Sequence, residues 1–251
     1  MRNINDMILG LKFAFSYFTI LPMKFKNEDD LSTKSVLSYM LLFLPISSFV
    51  LSLIVLSIYF IFYDLGWLAA IIASISYLLL YGFIHTDGLV DVVDAIYAKH
   101  SGKDPYKVIK ESTIGAMGIL YAVSLLILKI AIFSYMLLNE YFFELVLIIF
   151  LSRFFVVFSI FFYEFKSSFV TMLSDAISIN KLLFLTVVAF IFGIYIFGIS
   201  FILFIIIGTI LTLIINKFFK TNLGFLNGDC LGALLEVLEI LLPLVILLGL
   251  V

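Results

Sequence analysis

The 36 residues from 181 to 216, KLLFLTVVAFIFGIYIFGISFILFIIIGTILTLIIN, decide the fold of this protein. Between Lys181 and Asn216 the run contains no charged side chain, which is typical of membrane-spanning helices. It is too long for one span and just long enough for two, because a span needs about 20 residues. We therefore predict a turn between two helices near Gly193 or Gly198.

Similar apolar runs recur along the whole chain of 251 residues, which is 64% hydrophobic and only 13% charged. A soluble domain is about half apolar and about a quarter charged. We predict an all-α fold, a polytopic integral membrane helical bundle of about seven transmembrane helices in a single domain, 1–251. The apolar segment 8–22 is shorter and either lies at the interface or re-enters. The predicted spans are 36–62, 67–84, 115–137, 145–163, 181–197, 200–216 and 231–251.

The distribution of lysines predicts which side of the membrane each connection faces. The connections near Asp64 and Glu140 contain no lysine, whereas most lysines lie in segments 24–34, 98–112, 164–181 and 217–220. Seven spans place all lysine-bearing segments on one side, which the positive-inside tendency makes cytoplasmic. We expect a multi-pass protein of the cytoplasmic (inner) membrane, in contact with the lipid bilayer and with no nucleic-acid partner.

An acidic stripe follows one of the apolar runs, in FIHTDGLVDVVDAI at 83–96. On a helix, Asp87, Asp91 and Asp94 fall within an arc of about 60° and repel one another. No basic residue lies on this stripe, and carboxylates without a thiol or imidazole cluster suit Mg²⁺. We predict that the three aspartates bind Mg²⁺ and, through it, a diphosphate. The alternative is an acidic helix face in water.

Two neighbours of the stripe have alternative interpretations as well. His85 is a base, a hydrogen-bond donor to phosphate, or simply an interfacial histidine. Gly88 permits the close approach of a backbone or a ligand, or it is a flexible joint at the start of a helix.

A second acidic cluster lies in GFLNGDCLGALLEVLE at 224–239. Asn227 and Gly228 form a turn, and we predict that Asp229 caps the following helix. Asp229 and Glu236 share a helix face, and Glu236 and Glu239 lie inside the last apolar span. Carboxylates at that depth need water, a cation or a hydrogen-bond partner. This end of the span faces the same side as the stripe, so the two clusters are able to form one acidic site.

Basic residues near the stripe are candidates for binding phosphate. Lys110 is a plausible phosphate partner, and Ser112 is able to cap the next helix, near Gly115, and to leave backbone N–H groups facing an anion. The alternative is an ordinary positive-inside loop. Arg153 and Lys129 lie within apolar spans, where a cation faces a carboxylate or an anionic ligand, or reaches for the interface.

Four segments, in order, resemble the motifs of the cobalamin synthase family. HTDGLVDVVDA at 85–95 resembles its H-x-D-G-L-A-D-x-x-D-G signature, and KESTIGAMG at 110–118 resembles its K-D-S-R-x-G-x-x-G segment. SRF at 152–154 matches its mid-chain arginine, and LGFLNGDCLGALLEVLE at 223–239 resembles its G-G-x-T-G-D-x-L-G-A-x-x-E segment. SYFTILP at 16–22 is similar to the opening F-x-T-R-L-P segment.

The resemblance implies a Mg²⁺-dependent transferase of the last stage of cobalamin (vitamin B12) biosynthesis. Such an enzyme joins adenosylcobinamide-GDP to α-ribazole, or to its 5′-phosphate, and releases GMP. Association with itself or with other enzymes of the pathway is expected. The catalytic residues would be His85, Asp87, Asp91 and Asp94. The substrate-binding residues would be Gly88, Lys110, Ser112, Gly115, Arg153, Asn227, Gly228, Asp229 and Glu236.

The chain also departs from the family pattern. Thr113 and Ile20 stand where the family has arginine, so Lys110 or Lys107 would have to supply the missing positive charge. The main alternative function is a cation- or proton-coupled transporter that uses the same acidic cluster.

Overall fold

The fold is known from a computed structural model, which describes residues 2–111 and 113–250. Within these residues all regular structure is helical. The helices are α1 Arg2–Phe18, α2 Lys34–Ile61, α3 Trp67–Leu80, α4 Ile84–His100, α5 Pro105–Val108, α6 Ala116–Leu138, α7 Phe142–Phe162, α8 Ser168–Ala176, α9 Ile179–Phe197, α10 Phe201–Leu223 and α11 Gly228–Leu247.

Each predicted span coincides with a helix, which confirms a polytopic helical bundle. Five helical stretches are long and apolar enough to cross a membrane, and a sixth is counted if α3 and α4 form one bent span. One of the five is the 45-residue stretch Ile179–Leu223, which is interrupted between Phe197 and Phe201. A helix of that length would extend about 68 Å, more than twice a bilayer core, so α9 and α10 account for two spans. The predicted number of seven is therefore approximate.

The predicted turn between α9 and α10 lies at Gly198, which has a positive φ of 58°. Gly193 has a different role, because a Cβ there would collide with the ring of Phe201. The absence of a side chain at Gly193 thus lets the first residue of α10 pack against α9.

The N-terminal helix α1 is not one of the candidate spans. It begins at Arg2, earlier than the predicted segment 8–22, and packs along α2. The contact is closest at Gly10, where a Cβ would lie 2.8 Å from the carbonyl oxygen of Val36. After α1, the N–H of Ile20 donates to the carbonyl of Leu80 at 2.8 Å, which ties this end to α3.

A sharp bend separates α3 from α4. The two helices meet at 77°, and both Gly82 and Phe83 have positive φ values, 65° and 57°. A non-glycine residue in this conformation is uncommon and often marks a functional region. The bend redirects α4 so that its acidic stripe lies beside the start of α11 and the start of α6.

Helices α7 and α11 form the centre of the bundle, and α9 and α10 lie at its periphery. In the 18-residue apolar stretches of α7 and α11, 83% and 72% of residues are buried, compared with 17% in the 18-residue apolar stretch of Ile179–Leu223. Large apolar side chains such as Ile191, Tyr195 and Leu203 are exposed there. An apolar outer surface of this extent suits contact with lipid.

Candidate functional site

A cavity of about 770 Å³ opens among the ends of α1, α4, α8 and α11 and the segment around α5. One wall is aromatic and consists of Tyr17, Phe18 and Phe169. The polar lining includes Lys110, Lys166 and Asp229. A cavity with an apolar wall and a few charged groups is the usual form of a small-molecule site.

His85 lies in the wall of this cavity and is 6% exposed. Its ring is nearly parallel to that of Phe18, with centroids 5.9 Å apart, and packs against Tyr81 on another side. The Nε2 atom is buried and has no hydrogen-bond partner among the described residues. Buried polar atoms in proteins are almost always paired, so this nitrogen is a candidate for contact with a ligand.

Helices α4 and α11 cross at two glycines, in direct backbone contact. A Cβ at Gly88 would lie 2.9 Å from the carbonyl oxygen of Asp229, and one at Gly232 would lie 3.0 Å from that of His85. The interpretation of Gly88 as a site of close backbone approach is confirmed. The crossing brings Asp229 next to the acidic stripe, as the shared acidic site requires.

The acidic stripe lies next to the cavity rather than inside it. Gly88 lines the cavity, and Asp91 lies about 60° further round the helix. Asp91 is half-buried and is repelled first by Asp229, then by Asp87 and Asp94. No three acidic, histidine or cysteine side chains in 2–111 and 113–250 form a ready-made metal cage. The four carboxylates therefore concentrate negative charge without enclosing an ion.

Asp94 contacts the start of α6 with both carboxylate oxygens. The N–H of Gly115 donates to Oδ2 at 2.6 Å, and the N–H of Gly118 donates to Oδ1 at 2.7 Å. A Cβ at either glycine would collide with this carboxylate. The anion predicted to lie at this helix N-terminus is thus Asp94 itself, while Ser112 lies outside the described residues. The role of Asp94 as a metal ligand stays a prediction.

The cap of α11 is Asn227, so the prediction of Asp229 as the cap is wrong. Asn227 Oδ1 accepts from the N–H of Cys230 at 3.2 Å. Asn227 has the extended backbone of a cap, with φ −142°, and Gly228 already begins the helix. The Asn227 amide also donates to the carboxylate of Asp229 at 2.5 Å. Asp229 is consequently held in the first turn, where it faces the cavity.

A buried network of charged and hydroxyl groups fills the centre of the bundle. Arg153 Nη1 and Lys129 Nζ both lie 2.5 Å from the Glu239 carboxylate, on different oxygens. The hydroxyls of Tyr77 and Ser152 donate to the same carboxylate at 2.5 and 2.9 Å. The network thus joins α3, α6, α7 and α11.

Glu236 extends this network toward the cavity. Its carboxylate accepts from Lys129 Nζ at 2.8 Å, from the hydroxyl of Tyr81 at 2.6 Å and from that of Thr86 at 2.9 Å. Thr86 is next to His85, so the network also contacts the start of α4. Two carboxylates and two cations make the network neutral, as burial requires.

The network determines how Arg153 and Glu236 are to be interpreted. Arg153 faces the carboxylate of Glu239, which is one of the alternatives left open by the sequence. Neither Arg153 nor Glu236 lines the cavity. Their roles in substrate binding stay predictions, and the structure gives both an internal partner.

Several residues of the cavity had no signal in the sequence. Lys166 follows α7 without a motif around it, and Tyr106 and Phe169 look like ordinary aromatic residues of a connection. Only the fold brings them beside Lys110 and Asp229.

The profile of the cobalamin-5-phosphate synthase family matches residues 10–247. The chain belongs to this family. Curated relatives named adenosylcobinamide-GDP ribazoletransferase include one from Brevibacillus brevis, 25% identical over 93% of this chain and 95% of the relative. Another, from Clostridium botulinum, is 28% identical over 94% of this chain and 96% of the relative. No solved structure matches this chain.

Proposed function

We propose that this protein is an adenosylcobinamide-GDP ribazoletransferase. It joins adenosylcobinamide-GDP to α-ribazole, or to α-ribazole 5′-phosphate, and releases GMP. The family match over residues 10–247 carries the proposal. The cavity beside the acidic stripe supports the proposal. The reaction needs room for large organic groups next to charged residues that bind and stabilise a diphosphate.

The reaction transfers the phosphate that bears cobinamide from the diphosphate, with GMP as the leaving group, to a ribose hydroxyl of the ribazole. A ribose hydroxyl of the ribazole attacks the phosphorus that bears cobinamide, and a new phosphorus–oxygen bond forms. The bridging phosphorus–oxygen bond breaks, and its electron pair leaves with GMP. The hydroxyl proton passes to a base, which we assign to His85 or to an aspartate of the stripe. The enzyme must therefore orient the hydroxyl and stabilise negative charge on the diphosphate.

His85 is suited to orienting the hydroxyl. Its side chain lines the cavity, and the ring is held between Phe18 and Tyr81. We assign to this ring the hydrogen bond that a substrate hydroxyl in the cavity donates. The aromatic wall beside it offers a stacking surface for the flat base of the ribazole.

The acidic residues fit Mg²⁺ when part of its coordination comes from the substrate. Asp91 is repelled by Asp229 and Asp87, so a cation near them offsets an existing repulsion. Mg²⁺ commonly takes one or two carboxylates together with water and phosphate oxygens, which needs no closed cage of three. We assign Asp91, together with Asp87 or Asp229, to this role. Bound Mg²⁺ would neutralise charge that develops on the diphosphate.

We place the site at the cytoplasmic face of the inner membrane. Lys110 and Lys166 line the cavity and lie in lysine-rich connections, on the side favoured for the cytoplasm. Adenosylcobinamide-GDP is charged and water-soluble, so it would reach this face from the cytoplasm.

The buried network disfavours the transporter alternative. A proton- or cation-coupled transporter needs a carboxylate at depth that binds and releases its ion. Glu236 and Glu239 are instead neutralised by Lys129 and Arg153.

The test is product formation by the purified protein in detergent. Adenosylcobinamide-GDP and α-ribazole are supplied with Mg²⁺ or with a chelator, and GMP and the corrinoid product are separated by chromatography. We expect equal amounts of both products, only with Mg²⁺. Folded protein that makes neither product with any divalent metal would contradict the proposal.

The metal assignment is tested by Asp91→Asn, with Asp64→Asn as the matched control. Asp64 is an exposed acid in a lysine-free connection. We expect Asp91→Asn to raise the half-saturating Mg²⁺ concentration about tenfold, since one charged ligand is lost. A variant that keeps the full rate at limiting Mg²⁺ would exclude Asp91 as a ligand.

A further inference from the structure

Two lysines from distant parts of the chain converge on the ring of Tyr106. Lys110 Nζ lies 4.2 Å from the ring centroid, and Lys166 Nζ lies 3.5 Å from it. Lys110 follows α5, whereas Lys166 lies in the connection between α7 and α8. Cation–π contacts of this kind hold an ammonium group in place without neutralising it.

The position of Lys166 is fixed by its backbone as well as by its side chain. Its N–H donates to the carbonyl of Leu226 at 2.7 Å, in the segment that leads into α11. Its ammonium group also lies 5.5 Å from the ring centroid of Phe225, which packs edge-on against Tyr106. Lys166 is therefore held at the junction of α5, α8 and α11.

Neither lysine has a carboxylate partner among the residues that the structure describes. The ion pairs within 2–111 and 113–250 involve Lys26, Lys129 and Arg153, and not Lys110 or Lys166. Two like charges held at one ring repel each other, and an anion between them would remove that repulsion. The lysines thus form a charge arrangement that lacks its counterion.

Both lysines line the cavity that contains His85 and Asp229. The first residues of α8, Ser168 and Phe169, line the same cavity, and a helix N-terminus also favours an anion. His85, whose Nε2 is buried without a partner among the described residues, lines the same cavity.

We propose that Lys166 and Lys110, held by Tyr106, form a phosphate-binding site at the rim of the cavity. The ligand is a phosphate or diphosphate group of a substrate. The proposal rests on the proposed function only for the identity of the molecule that carries this group. The site also supplies positive charge that the chain lacks at Thr113 and Ile20, where the family pattern has arginine.

The first experiment measures binding of pyrophosphate to the purified protein by calorimetry, with a chelator present so that no metal contributes. We expect Lys166→Gln and Lys110→Gln each to weaken binding about tenfold, since each removes one charge-assisted hydrogen bond. Lys103→Gln is the matched control, because Lys103 is exposed just before α5 and does not line the cavity. Its affinity should stay within about twofold of the unchanged protein.

Two results would overturn the proposal. One is unchanged pyrophosphate affinity in both Lys166→Gln and Lys110→Gln. The other is an equal loss in Lys103→Gln, which would indicate general attraction to a basic surface. Because no reaction is needed for binding, a protein that binds pyrophosphate through Lys166 but makes no cobalamin would contradict the proposed function alone.

A lipid headgroup offers the same phosphate chemistry, so a second arm compares nanodiscs with and without phosphatidylglycerol. We expect similar pyrophosphate affinity in both. Strong competition by the anionic lipid that disappears in Lys166→Gln would overturn the assignment to a substrate.

Kinetics of Lys166→Gln with α-ribazole and with its 5′-phosphate then identify which substrate phosphate the site binds. If Lys166→Gln raises KM for α-ribazole 5′-phosphate but not for α-ribazole, the site binds the phosphate of ribazole phosphate. If Lys166→Gln raises KM for adenosylcobinamide-GDP equally with either ribazole substrate, the site binds the diphosphate.

Discussion

Replacing Lys129 with methionine should destabilise the bundle severely. The side chain is 1% exposed, and its ammonium group lies 2.8 Å from Glu236 and 2.5 Å from Glu239. Methionine fills a similar volume without charge, so both carboxylates lose a cation while they stay buried. Removing one partner of a buried ion pair costs about 3–5 kcal/mol. Arg153 still neutralises Glu239, so the main loss falls on Glu236.

The single cysteine of the chain provides the assay. Cys230 is fully buried near the start of α11, so a thiol-reactive fluorescent dye labels it only when the bundle opens. For a chain of this size, 3–5 kcal/mol corresponds to a melting temperature lower by roughly 6–20 °C. Lys217→Met is the control, because Lys217 is exposed on α10 and its loss should change the melting temperature by about 2 °C at most.

A second substitution separates charge from packing. In Lys129→Met combined with Glu236→Gln, the unpaired carboxylate is removed, so we expect at least half of the lost stability to return. If the double variant loses more stability than the two single variants lose together, charge pairing does not hold this part of the core together. If Lys129→Met alone lowers the melting temperature by less than about 2 °C, the reasoning is refuted directly.

Two further substitutions test how α4 is held. Asp94→Asn should lower the stability of the fold by about 1–3 kcal/mol in the same melting assay, because its carboxylate accepts hydrogen bonds from two backbone N–H groups. Asp87→Asn should change the stability little, because Asp87 is exposed. Equal melting temperatures for these two variants would contradict the capping role of Asp94. Gly88→Ala should lower the rate of product formation at least tenfold, because the added Cβ displaces the backbone of Asp229. Wild-type activity in that variant would mean that the crossing of α4 and α11 tolerates a shift.

The sequence was sufficient to predict the helical bundle and most helix positions. Lipid contact requires long apolar helices, so the spans are visible as composition alone. The turn at Gly198 was also predictable, because a glycine with positive φ is the usual way to end a helix. The cap of α11 was not, since Asn227 and Asp229 are equally good caps and only the first helical residue distinguishes them.

The site was predictable as a set of residues, but their partners were not. Glu239 is 86 residues from Arg153 along the chain, and no local pattern indicates that they pair. The hydrogen bonds between Asp94 and the start of α6 depend on the bend at Gly82 and Phe83, which turns α4 away from the axis of α3. Lys166 lies in a connection without a motif, so it emerged only from its contact with Tyr106.

The charge network also has a consequence for the order in which the chain enters the membrane. Synthesis proceeds from the N-terminus, so α6 and α7 are inserted with Lys129 and Arg153 before α11 exists. A cation at the centre of a helix costs about 2.5–3.5 kcal/mol on insertion, and the same holds for an acid. Until α11 arrives with Glu236 and Glu239, the two cations have no permanent counterions in the bilayer. Insertion of α11 therefore completes both the charge balance of the core and the wall of the cavity, so the site forms only after α6 and α7 are already in the bilayer.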